Sequence, residues 1–200
     1  MPSVVDLRLV GHLPCLDFVN SVDWRTSDSP VDFLPSFDDL LQWSAHAAVL
    51  APSELRALGR RGNAAARCAA LRRAIAFREA SYRIVEAAMR RHAPEPADVR
   101  LVEAVIAKAR ASLNLHYEKG KFRWSYADGE THLDSPLWKI ALSLDDLLTS
   151  HDLALVKECG GPGCGWLFFD VTKNHARRWC SMEGCGNRAK ARRFYDRYIR

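Results

Sequence analysis

Four of the six cysteines stand in two matched pairs near the C-terminal end, Cys159 with Cys164 in CGGPGC and Cys180 with Cys185 in CSMEGC. Four residues lie inside each pair and fifteen between the pairs. Glycines in each loop let the chain fold back sharply enough to aim two sulfurs at one point. Zn²⁺ takes four soft ligands in a tetrahedron, so the spacing predicts one structural Zn²⁺ held by Cys159, Cys164, Cys180 and Cys185. A catalytic zinc keeps an open position for water, which argues against chemistry at this metal. Disulfides are the weaker reading in a reducing cytoplasm. His151 and His175 read as surface residues, and Cys15 and Cys68, without partners at ligand spacing, as small core residues.

The chemistry that follows the last cysteine is cationic. From Asn187 the chain runs without a helix breaker, and at 100° per residue Ala191, Phe194, Tyr195 and Tyr198 share one face while Lys190, Arg193, Arg197 and Arg200 share another. The aromatic face is expected to pack and the basic face to stay exposed. Arg188 and Arg192 form an i,i+4 pair, and Arg177 and Arg178 precede Cys180. Residues 171–200 hold nine Lys and Arg against Glu183 and Asp196, whereas the first 170 residues are slightly acidic. A metal that fixes a basic helix suits nucleic acid, with arginines meeting phosphates or guanine edges. The candidate contacts are Arg177, Arg178, Arg188, Lys190, Arg192, Arg193 and Arg197. A solvated basic face, or a finger docking an acidic protein, fits the same residues.

A second polar constellation interrupts apolar sequence. Asp17, Asn20, Asp23 and Arg25 lie within nine residues of GHLPCLDFVNSVDWR, and Arg78 breaks an apolar helical stripe. A buried arginine must be paired, so an Asp17–Arg78 core salt bridge with Asn20 bonding a helix end is one reading. The other is the polar floor of an effector pocket, Asp17, Asn20, Arg25 and Arg78, roofed by Trp124, Trp24 or Trp138. There is no nucleophile elbow, phosphate loop or pair of histidines at metal-ligand spacing, so no enzyme activity is expected.

The elements that must position these residues are mostly helical. Ser36 caps a helix expected over 37–49, with Asp38 and Asp39 in its first turn. Residues 63–92, with Cys68, Leu71, Ile75, Arg78, Tyr82, Val85 and Met89 on one stripe, predict a long helix. Pro94 and Pro96 end it and start an antiparallel partner. Alternation at Leu113, Leu115, Tyr117 and at Phe122, Trp124, Tyr126 around Gly120 predicts a β-hairpin. Ser135 as cap and Pro136 at the first helical position open a last helix that closes a first domain, 1–150. The remaining module, 151–200, is too small to fold on burial alone, so metal binding and folding should be one event. Within it GWLFFDVT reads as a short strand. The two parts are joined by a short segment and should be tightly coupled. With no stretch of eighteen apolar residues and no leader-like N-terminus, the chain reads as cytoplasmic, with no membrane partner.

The tail, with Cys185, Gly186, Asn187 and Arg188 as its signature tetrapeptide and RRWC before the third ligand, resembles the CGNR zinc finger. The preceding chain resembles the ABATE domain in GHLPCLDFVNSVDWR, in FREA and in SPLWKIALSLDDLLTS. It departs in Ser21, where Thr is usual, and in Phe77, where Leu is. The resemblance implies a mainly helical ABATE-type domain with a few strands, a finger that binds DNA, and a transcriptional regulator. The fold expected is therefore mainly α: a helical N-terminal domain with a small β-hairpin, then a four-cysteine finger ending in a basic helix. DNA is the expected partner, with room for a small-molecule effector and a homodimer. The alternatives are a protein-interaction module and a ligand-binding protein without direct DNA contact.

Overall fold

The computed structural model describes residues 3–126, 132–150 and 152–198; His151 and Arg200, considered above, lie outside them. Helix α1 (Pro14–Val19) starts at a proline that needs no amide partner. Two-residue strands β1 (Val22–Asp23) and β2 (Val31–Asp32) pair antiparallel behind it. Helix α2 (Phe37–His46) carries a full capping box: Ser36 accepts from the Asp39 amide, and the Asp39 carboxylate accepts from the Ser36 amide. It stops three residues short of the expected end, where Ala48 turns left-handed at φ 52°. A short α3 (Pro52–Gly59), not expected from the sequence, follows.

Helix α4 (Ala64–Met89) is the long helix, capped by Asn63. Its buried face takes in Arg78, Tyr82 and Val85 of the expected stripe and is centred on Ala70, Ala74, Phe77 and Ser81 beside it, while Cys68 is exposed, a correction to its reading as a core residue. Small alanines let neighbouring helices approach closely, which a search for large apolar residues overlooks. Cys15 is buried in the core as expected, and burial pushes its thiol up to about 12. Helix α5 (Pro96–Ala111) packs on α4, with Arg83 forking onto Asp98. Strands β3 (Leu113–Glu118) and β4 (Lys121–Tyr126) pair in register around Lys119 and Gly120, both at positive φ. Helix α6 (Ser135–Ser150) begins one residue earlier than expected, because the Asp134 carbonyl accepts from the Trp138 amide. None of the described helices is long and apolar enough to cross a membrane.

The tail adds strands β5 (Val156–Glu158) and β6 (Leu167–Phe169), paired antiparallel, and helix α7 (Asn187–Tyr198). The fold is mainly α. A single hydrophobic core runs from Phe18, Trp43, Phe77 and Leu144 through to Leu167 and Phe168 of β6, with α1 packed between α6, α4 and β6. Asn20, 1% exposed, clasps the strand: its amide donates to the Leu167 carbonyl and its oxygen accepts from the Leu167 N–H, both at 2.8 Å. The Trp166 indole donates to the Val22 carbonyl, and the Arg25 and Thr26 amides donate to the carbonyls of Cys164 and Gly163. Backbone groups that a free finger would leave to water are thereby satisfied by the helical part.

Candidate metal centre and nucleic-acid interface

The first knuckle leaves β5 at Cys159, whose amide donates to the Trp166 carbonyl, and closes when the Cys164 amide donates to Gly161. A Cβ on Gly161 would lie 2.7 Å from the Cys185 sulfur, so only glycine lets the two knuckles meet. In the second knuckle Ser181 accepts from the Gly184 amide and starts a widened turn over Met182–Gly186. That turn runs directly into α7, so the geometry of the second pair sets where the basic helix begins.

The four sulfurs all lie within 4.8 Å of one another, and all four cysteines are buried. Cys164 to Cys180 is 3.8 Å and Cys180 to Cys185 is 3.6 Å. A tetrahedral zinc with ligands at about 2.3 Å requires sulfur separations of about 3.8 Å, so the residues fit the ion. Sulfur donors from Cys164 and Cys180 pull the Cys159 thiol far down, while their closeness to Cys159 drives the Cys164 and Cys180 thiols up. Thiolates crowded this closely repel one another, and a dication is what allows four. The Cys180 amide also donates to the Cys159 sulfur at 3.2 Å, and Arg188 donates to the Cys185 sulfur at 2.9 Å. Such donors offset part of the negative charge of a tetrathiolate centre. The centre holds one structural Zn²⁺. His175 stands apart from it, its ring bonded to the Asp170 carbonyl.

The seven candidate cations divide into two groups. Arg177 turns inward: its Nε donates to the Trp179 carbonyl, its Nη2 to the carbonyls of Val10 and Cys180, and its guanidinium lies 4.1 Å from the centre of the Phe168 ring. Arg188 is committed to the metal ligand and to the Trp24 ring, 4.8 Å away. Arg178, Lys190, Arg192, Arg193 and Arg197 are exposed and form no ion pair among the described residues. The aromatic face of α7 does not pack, contrary to expectation: Phe194, Tyr195 and Tyr198 are 57%, 59% and 66% exposed. The main contact of the helix is with the Met182–Gly186 turn before it, and Phe194 packs on Tyr198 with ring centres 4.8 Å apart.

Asp170 organises the loop between the strands and the third cysteine, and sequence reasoning missed it. Fully buried, it accepts from Lys157, from the Thr172 amide and hydroxyl, and from the Arg177 amide. Burial pushes its carboxyl up, but these four donors outweigh it and hold the group well below the usual range. The signal was present: an acid after an apolar run, with a threonine two residues on, is an Asx-turn pattern.

The second constellation pairs differently from either reading. Asp17 does not meet Arg78; it accepts from the Gly11 amide at 2.7 Å, and burial raises its carboxyl to about 6. Arg78, 2% exposed, is fully engaged by Glu79, Ser21 and both oxygens of Asp32. Asp32 came from a segment the sequence reading passed over. Arg25 donates to Glu79 and the Val19 carbonyl, and Asn20 holds Leu167. Trp124 is 61% exposed on the hairpin and Trp138 is buried against Tyr126, so neither roofs a pocket over Arg78. Each of these side chains is held by a neighbour, although the buried Arg25 Nε has no hydrogen-bond partner among the described residues.

Residues 13–151 match the family model ABATE, described as "Putative stress-induced transcription regulator", and residues 156–198 match the CGNR zinc finger. No curated protein matches the chain. The helical body, the four sulfurs and the basic helix thus fall within one architecture, and the chain belongs to the ABATE family, with a CGNR zinc finger at its C-terminal end.

Proposed function

We propose that this transcription-regulator family member acts by binding duplex DNA through α7 and the loop before Cys180, without catalysis. The observation that carries the reading is the set of five unpaired, exposed cations, Arg178, Lys190, Arg192, Arg193 and Arg197, on or beside a helix fixed at its start by the zinc centre. None of the helix's residues is buried, so its outer face, on a helix about 10–12 Å across, is open to a major groove about 12 Å wide. Contacts to phosphate make affinity fall with salt, each contributing about 0.9 to the log–log slope. Anisotropy of a labelled duplex between 50 and 200 mM salt should give a slope of about −4.5, reduced by nearly 2 in Arg193→Ala/Arg197→Ala. Absence of binding at low salt, or an unchanged slope in the double variant, refutes the reading. A second reading, docking on an acidic protein, is favoured by the uncovered Phe194, Tyr195 and Tyr198 stripe. It predicts no duplex binding even at low salt, and capture of an acidic protein that is lost when these rings are replaced.

A further inference from the structure

Between the first knuckle, Trp24 and α7 lies a groove of about 520 Å³, within the range of small-molecule sites. It is lined by two indoles, Trp24 and Trp179, and four guanidiniums, Arg178, Arg188, Arg192 and Arg193, against one carboxylate, Asp196. Arg188 already lies on Trp24 and the Cys185 sulfur. The other three arginines have no carboxylate partner among the described residues, and they converge on one groove. Unpaired positive charge converging on aromatic walls is a donor set without its anion.

The walls are held in place. Trp24 sits at φ 52°, a conformation costly for a bulky side chain, and its carbonyl is fixed by both the amide and the hydroxyl of Ser27. Its ring rests on Gly163, where an added Cβ would come within 3.3 Å of it. The Trp179 ring lies against Gly160 in the same loop. The knuckle thus presents bare backbone as a floor, with one indole from the helical part and one from the finger.

We infer that this groove is a binding site for a mononucleotide-sized aromatic anion, its flat ring on the parts of Trp24 and Trp179 that Arg188 and Arg178 leave uncovered and its phosphate on Arg178, Arg192 and Arg193. Rings stack on indoles, and guanidiniums hold phosphate with paired, geometrically matched donors. The site borrows three arginines from the proposed DNA surface, so ligand and duplex compete. A ligand seated on Trp24 contacts the helical body and α7 at once, which gives that body a means of controlling the finger.

The test is calorimetric titration of the zinc-loaded full chain with adenosine monophosphate, with adenosine and inorganic phosphate as separate arms. The nucleotide should bind, and each fragment should bind at least tenfold more weakly. Trp24→Asn, which keeps a residue tolerant of the left-handed backbone, and Arg192→Ala/Arg193→Ala, which removes exposed and unpaired groups, should each weaken the nucleotide at least tenfold. Lys190→Ala/Arg197→Ala, outside the groove, should weaken duplex binding while leaving the nucleotide unchanged, and Trp24→Asn should leave duplex binding within about twofold. These arms separate failure of the groove from failure of the DNA reading. No heat from the nucleotide at 10 mM, equal binding of phosphate alone, or binding unchanged in both groove variants overturns the proposal.

Discussion

Replacing Asn20 by Ala removes the two hydrogen bonds that clasp Leu167 across the joint between helical body and finger. Both the N–H and the carbonyl of Leu167 lose their partner, and the residue is fully buried, so water cannot readily replace the asparagine. A buried polar group left unsatisfied costs about 1–3 kcal/mol, so the pair should cost roughly 2–5 kcal/mol of unfolding free energy. At a urea slope of about 2–3 kcal/mol/M, that lowers the midpoint by about 1–2 M. Leu167 belongs to the strand between the two zinc knuckles, so the loss should reach the metal, and a colorimetric chelator should strip zinc faster from the variant. Urea melts followed by tryptophan fluorescence and zinc release followed in parallel would measure both effects. A midpoint within about 0.3 M of the parent, roughly under 1 kcal/mol, would falsify the claim that this clasp joins the two parts energetically.

The raised carboxyl of Asp17 predicts a pH dependence. With a folded value of about 6 against an unfolded value near 3.9, the folded chain binds more protons between those limits, so this group's contribution to stability falls as pH rises through that window and levels off above it. Asp17→Asn should therefore be stabilised relative to the parent at pH 8, by about 3 kcal/mol, and by roughly half as much at pH 5; thermal melts of both proteins at the two pH values check this, and an equal difference at both ends would contradict it. Arg188→Ala removes the donor to the Cys185 sulfur and should weaken zinc affinity by about 10–100-fold in a competition assay. Unchanged affinity would mean that the contact does not act on the metal.

Much of the site was legible because its cause is local. Cysteine spacing defines the ligand set whatever surrounds it, and Ser36, Asn63 and the Lys119–Gly120 turn act on their own few residues. What depended on distant partners was not legible. Arg78 was correctly singled out as a buried charge in need of a counter-ion, yet Asp32 and Glu79, rather than Asp17, supply it. Arg177 counts as one more cation in the sequence, and only the position of the Val10 and Cys180 carbonyls shows it to be an internal brace. The aromatic face of α7 has the period of a packed helix face, but packing needs an opposing surface that the sequence of the helix alone does not specify.

The continuous core from Phe18 to Phe168 makes the zinc ion a ligand of the whole folded chain. Any ligand that binds only the folded form adds to its stability in proportion to the logarithm of its free concentration, so a tenfold fall in free zinc removes about 1.4 kcal/mol from the entire structure once the site is saturated. An excised finger would lose the Asn20 clasp and expose Leu167 and Phe168, so its metal affinity is not that of the intact chain. The abundance of the folded protein becomes a function of zinc supply, through the same residues that aim α7.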